Sequence, residues 1–312
     1  MNKKLLRAAA MTAACVVVAG VVLWRPAMAL WRQLTHTPNA DGMYQVDGWW
    51  AEDLGETDVR SAGNFAANLQ SLREQYLTDQ NRVFWAIVPD KGYYLQDEGW
   101  TDTDYALLFE TAAQGLDGWQ QIDLTGTLTR EDYYKTDGHW RQESLQGVLD
   151  ALGQAMGFSI SMWDFTAHTA DDFVGAYRDR IPADTPSETV TWLTSATTDA
   201  AQAEDIQNPD DTAVYTESAL ETGTPYDLFL HGASPLITIT SPEAKTDREL
   251  IIFRDSFASA LAPLLLEQYR TVTLVDIRYL ASSLLPQYVT FTDQDVLFLY
   301  SAGVVNRSAM LR

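Results

Sequence analysis

A chain of 312 residues, 46% hydrophobic and 11% aromatic, can bury a large core, which excludes general disorder. Its formal charge is −22, from 43 acidic against 21 basic residues. Such a surface repels nucleic acid and anionic lipid headgroups at long range and more easily accommodates a neutral or cationic partner. The one cysteine, Cys15, lies near the start, so the rest of the chain has no disulfide, no cysteine nucleophile and no cysteine-based metal site.

The first thirty residues stand apart. Lys3, Lys4 and Arg7 lead into an apolar run from Ala8 to Trp24, then Arg25-Pro26 and the small-residue stretch Ala27-Met28-Ala29. That order fits a signal peptide cut after Ala29, or an uncleaved signal anchor with its basic end inside. The run is long for the first and at the short limit for the second. Either reading places the rest of the chain outside the cytoplasm, membrane-anchored or secreted. The leader holds four of the basic residues and none of the acidic ones, which leaves the remainder at −26.

A polar linker over 31–42 enters one domain spanning 43–312. Ala62 to Tyr76 carries apolar residues at helical spacing, and Val83 to Val88 (VFWAIV), ending at Pro89, reads as a buried strand. Asp102 to Ala113 looks helical, Trp119 to Leu124 looks like a strand, and Arg141 to Met156 is a helix that Gly157 is placed to stop. The stretch of about 159–246 is rich in Thr, Asp, Ser and Pro and reads as an inserted lobe of short strands, with 194–212 a loop. The α/β pattern then returns: strand Glu249 to Phe253, helix Phe257 to Gln268, strand Thr271 to Val275 and a last strand Asp295 to Tyr300. Strands alternating with helices predict an α/β fold, a parallel sheet with helices on both faces.

Two segments carry candidate chemistry. In ELIIFRDSFASALAPLL a buried strand gives way to a helix at Asp255-Ser256. The carboxyl ends of strands are where open α/β sheets bind ligands, and a serine there lies beside free backbone N–H groups that can stabilise an oxyanion. An ordinary helix cap explains the same residues. In YYKTDGHW, Asp137 and His139 share one face if the segment is extended, so a carboxylate can orient an imidazole. A simple Asp-Gly turn explains that pair too, and one His with one Asp is a weak metal signal. Of the four histidines, His36, His139, His168 and His231, only His139 has a carboxylate at this spacing. No GxSxG elbow is present.

YYKTDGHW resembles the motif for which DHHW proteins are named, with Gly138 where the first histidine usually stands. IIFRDSFASALAPLL resembles that family's serine block, VTLVDIRYL and DVLFLYSAGVVN its closing strands, and VPDKGYYL its early Pro-x-Lys strand end. The match runs in order across most of the chain after the leader. The family is similar to the catalytic domains of the alginate O-acetyltransferases AlgJ and AlgX. The resemblance implies a flavodoxin-like SGNH-hydrolase core with Ser256 as nucleophile, His139 as base and Asp137 as its orienter. It implies no metal and no cofactor. It also implies an O-acetyltransferase or acetylesterase acting on a cell-surface or secreted polysaccharide, with a membrane-bound O-acyltransferase as a partner.

Two departures stand out. FLHGASP places His231, Gly232 and Ala233 where relatives usually read Gly-Gly-Asn, so an amide that could donate to the oxyanion is missing. Gly232 N–H, Ser256 N–H or the Ser234 hydroxyl are the candidate replacements, and Lys91 and Arg278 are further site candidates. Arg254 stands where SGNH enzymes often have glycine. The competing expectation is a protein that keeps the fold without the chemistry and binds glycan or assists the membrane acyltransferase.

Overall fold

The computed structural model describes residues 37–98 and 101–311. The leader of 1–30 lies outside the described residues, and no helix among those described is long and apolar enough to cross a membrane.

The chain opens on a hairpin, β1 (Met43–Val46) and β2 (Trp49–Glu52), joined by Asp47-Gly48. Both turn residues have positive φ, 50° and 91°, as a tight two-residue hairpin turn requires. The sequence reading took no account of this Asp-Gly signal. Helix α1 (Val59–Tyr76) follows, capped by Asp58, whose side chain accepts from the Arg60 and Ser61 N–H groups. Then come β3 (Val83–Val88), α2 (Tyr105–Gly115, capped by Asp104), β4 (Gln120–Gln121) and α3 (Gln146–Met156). Gly157 ends α3 in the left-handed conformation, φ 76°.

Two boundaries differ from the reading above. The strand expected over Trp119 to Leu124 shrinks to two residues at the sheet edge, where only β3 is available to pair. The helix expected from Arg141 begins at Gln146, after a 3-10 turn over Gln142–Ser144.

The 159–246 stretch contributes β5 (Thr166–Phe173), β6 (Glu188–Thr194), the short α4 (Ala196–Asp199), β7 (Gln202–Asp205) and β8 (Leu236–Thr240). It is not a separate lobe throughout. Only the β5–β6 hairpin stands outside the main sheet, while β7 and β8 extend it, and 194–212 is no plain loop. The chain closes with β9 (Glu249–Arg254), α5 (Ala258–Leu265), β10 (Thr271–Val275), β11 (Asp295–Ser301) and α6 (Ala302–Asn306).

The central sheet has seven strands in the order β4-β3-β11-β9-β10-β8-β7. The first five run parallel, and β8 is antiparallel to both β10 and β7. Alternate side chains of one strand feed opposite cores, as a period of two dictates. Leu250 and Ile252 of β9 pack with α3 and α5, whereas Ile251 and Phe253 pack with α1, α2 and α6. Helices therefore cover both faces. The fully buried run of β11 (DVLFLYS) reflects its place between β3 and β9.

Candidate active site

Strand β9 ends at Arg254, and the next three residues turn into α5 at the carboxyl edge of the sheet. Asp255 holds this turn. It is buried, and its carboxylate accepts from Phe257 N at 3.1 Å and from Ser301 N, at the end of β11, at 2.7 Å. Asp255 thus braces the turn before α5, which has no side-chain cap, and the Ser256 hydroxyl is left available.

His139 takes that hydroxyl. Its Nε2 lies 2.7 Å from Ser256 Oγ, across 117 residues of sequence. Its Nδ1 lies 2.6 Å from Asp137 Oδ1, and its own backbone N–H donates to the same oxygen at 2.8 Å. A carboxylate can only accept, so the ring proton sits on Nδ1, and Nε2 of the neutral imidazole is left to accept the serine proton. Asp137 is fully buried and also accepts from Ala176 N at 2.7 Å. Burial by itself raises its pKa, but the His139 interaction and these hydrogen bonds outweigh that and hold it at about 2. It is a carboxylate throughout the physiological range.

The Asp137 turn is fixed from three sides. Trp140 Nε1 donates to Phe257 O at 3.0 Å and Gln142 Nε2 to Ala260 O at 2.6 Å, which ties the turn to α5. Glu188 of β6 accepts from Lys135 N, Thr136 N and Thr136 Oγ1 at 2.7–2.9 Å. The loop after β5 closes over Asp137, and a Cβ built on Gly175 would sit 2.3 Å from Asp137 Cβ. Only glycine allows that approach, which is the physical reason for the residue there.

Lys91 lies beneath the turn. Its ammonium is buried and donates to the carbonyls of Tyr134 at 2.9 Å and Asp137 at 2.8 Å. Burial pulls its pKa down to about 7 against the opposing pull of Asp137. Of the other candidates, Arg278 grips Asp276 with Nε and Nη2, at 2.9 and 2.6 Å. Ser234 is fully buried and its hydroxyl donates to Asp205 at 2.5 Å. Gly232, at φ 83°, donates its N–H to Phe229 O at 3.3 Å. The groups offered as oxyanion donors at 232 and 234 therefore have partners already. The Ser256 N–H has no backbone acceptor among the described residues.

Arg254 is wholly buried behind the serine. Its guanidinium donates to Ser259 Oγ at 3.0 Å, Ser234 O at 3.3 Å and Asp255 O at 3.4 Å, which links the 232–234 segment to the serine turn. Burial lowers its pKa, with Asp276 opposing.

Tyr226 is the residue the sequence reading missed. Its ring lies flat on the His139 imidazole, with centroids 3.9 Å apart and planes 6° apart, and Phe257 packs against the same imidazole at 5.0 Å. Nothing in the local pattern around PYDLF marks it, because the stack joins segments 87 positions apart. The other described histidines lie elsewhere. His168 stacks on Trp192, and His231 approaches Asp211 at 3.2 Å. Among the described residues no group of three or more His, Cys, Asp or Glu side chains is arranged to hold a metal ion.

A mostly parallel sheet with helices on both faces, and a serine-histidine-aspartate chain at its carboxyl edge, is the arrangement expected of the DHHW class. The known structures agree on the fold. The chain is similar to a DHHW family protein from Eubacterium siraeum, at 20% identity and a TM-score of 0.70, over 88% of this chain and 97% of that one. It is also similar to Bacillus cereus PatB1 with a sulfonyl adduct, at 17% identity and a TM-score of 0.63, over 84% of this chain and 95% of that one. A second structure of PatB1 gives 19% identity and a TM-score of 0.60. No family model matches the sequence, and no curated protein matches it.

Proposed function

We propose that the protein is an extracytoplasmic serine O-acetyltransferase that acetylates hydroxyl groups of a polysaccharide. The observation that carries this reading is the continuous hydrogen-bonded chain Asp137–His139–Ser256. A hydroxyl, an imidazole and a carboxylate linked in that order support nucleophilic acyl transfer. Ser256 Oγ attacks the acetyl carbonyl of the donor while His139 Nε2 takes its proton. Asp137 stabilises the imidazolium through Nδ1, and the Tyr226 ring, flat against the imidazole, adds a π face to the cation. The Ser256 N–H, which has no backbone acceptor among the described residues, is available to the oxyanion. His139 then protonates the departing donor oxygen, which leaves an acetyl-serine. An acceptor hydroxyl loses its proton to His139 and attacks that ester, the tetrahedral intermediate collapses, and the proton returns to Ser256. Hydrolysis differs only in that water takes the acceptor's place.

The leader pattern supports export, and the resemblance to DHHW proteins supports an acetyl group, a polysaccharide acceptor and a membrane-bound O-acyltransferase that delivers the acetyl group. The sulfonyl adduct on PatB1 suggests a direct probe. A sulfonyl fluoride should label Ser256, and the full-length chain should release acetate or transfer acetyl from an activated acetyl ester. Ser256→Ala and His139→Ala should each lose turnover by at least ~10³-fold with folding intact. Equal rates in all three proteins would favour a fold kept for binding glycan.

A further inference from the structure

Beside His139 and Phe257 a cleft of about 260 Å³ opens, walled also by β2 and its exit, the end of β3, the loop after β5, and the β11–α6 junction. Its chemistry is set by Glu52, Asp90, Lys91, Tyr177 and Arg180, with Gly138 and His139 on one wall.

Gly138 is what opens this wall. A Cβ built there would lie 3.0 Å from the Tyr177 hydroxyl, so that oxygen occupies the space next to the missing side chain. Tyr177 is held firmly. Its N–H donates to Thr136 O at 3.1 Å, its ring faces the Lys91 ammonium at 4.8 Å, and the ring packs with Met43, Trp50 and Ile181. Its hydroxyl has no hydrogen-bond partner among the described residues, and burial keeps the phenol neutral, a donor at any physiological pH. A rigid, neutral O–H that faces a cleft next to the proposed base is a group waiting for an acceptor oxygen.

The cations of the cleft are all engaged. Lys91 Nζ bonds two carbonyls and faces the Tyr177 ring. Arg180 donates to Glu52 at 3.3 Å and to Asp41 O at 2.8 Å. Glu52 is paired a second time by Arg307 at 2.9 Å. Asp90 Oδ1 takes the donors Tyr105 Oη, Gly92 N and Tyr93 N at 2.6–3.3 Å, while Oδ2 has none. Glu52 is shared by Arg180 and Arg307, and burial raises Asp90 to about 6, so it is the −26 of the surrounding domain that disfavours an anionic acceptor here.

We propose that this cleft is the acceptor subsite of the reaction above, that it takes an uncharged hydroxylated sugar and excludes uronates, and that Tyr177 Oη holds a ring or hydroxyl oxygen of that sugar so that a neighbouring hydroxyl reaches His139 Nε2. The inference rests on the acyl-transfer reading. Tyr177 thus positions the acceptor in the second half-reaction, when the acetyl-Ser256 ester is open to attack.

The test uses the full-length chain with an activated acetyl ester and two acceptors of equal length, cellotetraose and its tetra-glucuronate counterpart. Acetylated saccharide and released acetate are quantified together by mass spectrometry. Cellotetraose should be acetylated in preference to the uronate by at least about tenfold at low salt. Tyr177→Phe should lower the ratio of transfer to hydrolysis about three- to tenfold, through a raised acceptor KM, the size of one lost neutral hydrogen bond. Gly138→Ala, whose methyl crowds the same hydroxyl, should shift the ratio in the same direction. Equal use of the two saccharides, transfer to neither, or an unchanged ratio in Tyr177→Phe would overturn the subsite while leaving Ser256-dependent acetate release standing. Absence of any Ser256-dependent acetyl release would remove the acyl-transfer reading and the subsite together.

Discussion

Two buried carboxylates sit at opposite ends of the central sheet, and they are satisfied in opposite ways. At the amino end of β11, Asp295 is saturated by permanent cations. Arg82 reaches it through Nε at 2.7 Å and Nη2 at 2.6 Å, Arg248 through Nη2, and Tyr269 through its hydroxyl at 2.7 Å. At the carboxyl end, Asp137 receives only backbone N–H groups and one imidazole. Guanidinium groups cannot give up a proton in this range, so the Asp295 cluster is a lock. An imidazole can, so the Asp137 charge is passed to a group whose far side touches a hydroxyl. The comparison separates a carboxylate held by guanidinium groups from one that holds an imidazole against a hydroxyl, although both are buried.

Breaking each end should give opposite signatures. The largest effect is expected at the carboxyl end. Asp137→Asn should lower acetyl turnover by ~10²–10⁴-fold, because an amide no longer fixes the Nδ1–H tautomer, while the thermal midpoint changes far less than the rate. Steady-state kinetics beside thermal denaturation will show whether rate and stability separate in this way. At the amino end, Asp295→Asn should cost ~2–3 kcal/mol of stability. That is below the ~3–5 kcal/mol of a fully buried pair, because Arg82 is half exposed. Turnover per folded molecule should be retained, and denaturant melts with active-site titration test that split.

A finer probe is Gly175→Ala. Its methyl would overlap Asp137 Cβ, so about 1–3 kcal/mol of overpacking and a displaced carboxylate are expected. Both stability and rate should fall, the one change here that couples them. The pH dependence sharpens the same contrast. Asp137 is held at about 2 in the folded state, below its ordinary value of ~3.9. Its contribution to stability is therefore complete above pH ~4 and lost as the pH falls toward 2. Lys91 works the other way, since its folded value of about 7 lies below the ordinary ~10.4. The unfolded chain binds the extra proton between those values, so this residue makes stability rise from pH 7 toward 10. Lys91→Met should flatten that alkaline rise and leave Tyr134 O and Asp137 O without a donor. Denaturant midpoints of both proteins across this range check it. The smallest effect belongs to Tyr226→Phe, which keeps the stacked ring and removes only a hydroxyl that has no partner. Turnover should change by less than ~3-fold, whereas Tyr226→Ala should lose about tenfold as the imidazole loses its platform.

Much was legible in one dimension. The apolar runs of β3, β9, β10 and β11 are continuous because both faces of those strands are covered, and a run of that kind survives in any neighbourhood. Gly157 stops α3 through its own backbone preference. Asp137 and His139 were visible as a pair because they are two residues apart, and Ser256 because it follows a buried strand. The 159–246 stretch was harder. Strands β7 and β8 are short, and composition cannot say that they join the main sheet, because partners such as Ile237↔Leu274 lie far apart along the chain.

By itself, then, the sequence determined the alternation of strands and helices, the caps and turn residues, the acidity of the domain and the three residue types of a serine site. Each of these depends on local backbone preference, on periodicity or on composition. The tertiary structure alone decided that Ser256 Oγ meets His139 Nε2 at 2.7 Å, that Tyr226 lies flat on that ring, that Gly232 and Ser234 are engaged elsewhere, and that Tyr177 fills the space beside Gly138. Those are contacts between residues tens to more than a hundred positions apart. They are fixed only when burial of both sheet faces brings the carboxyl ends of β3, β9 and β11 to one edge.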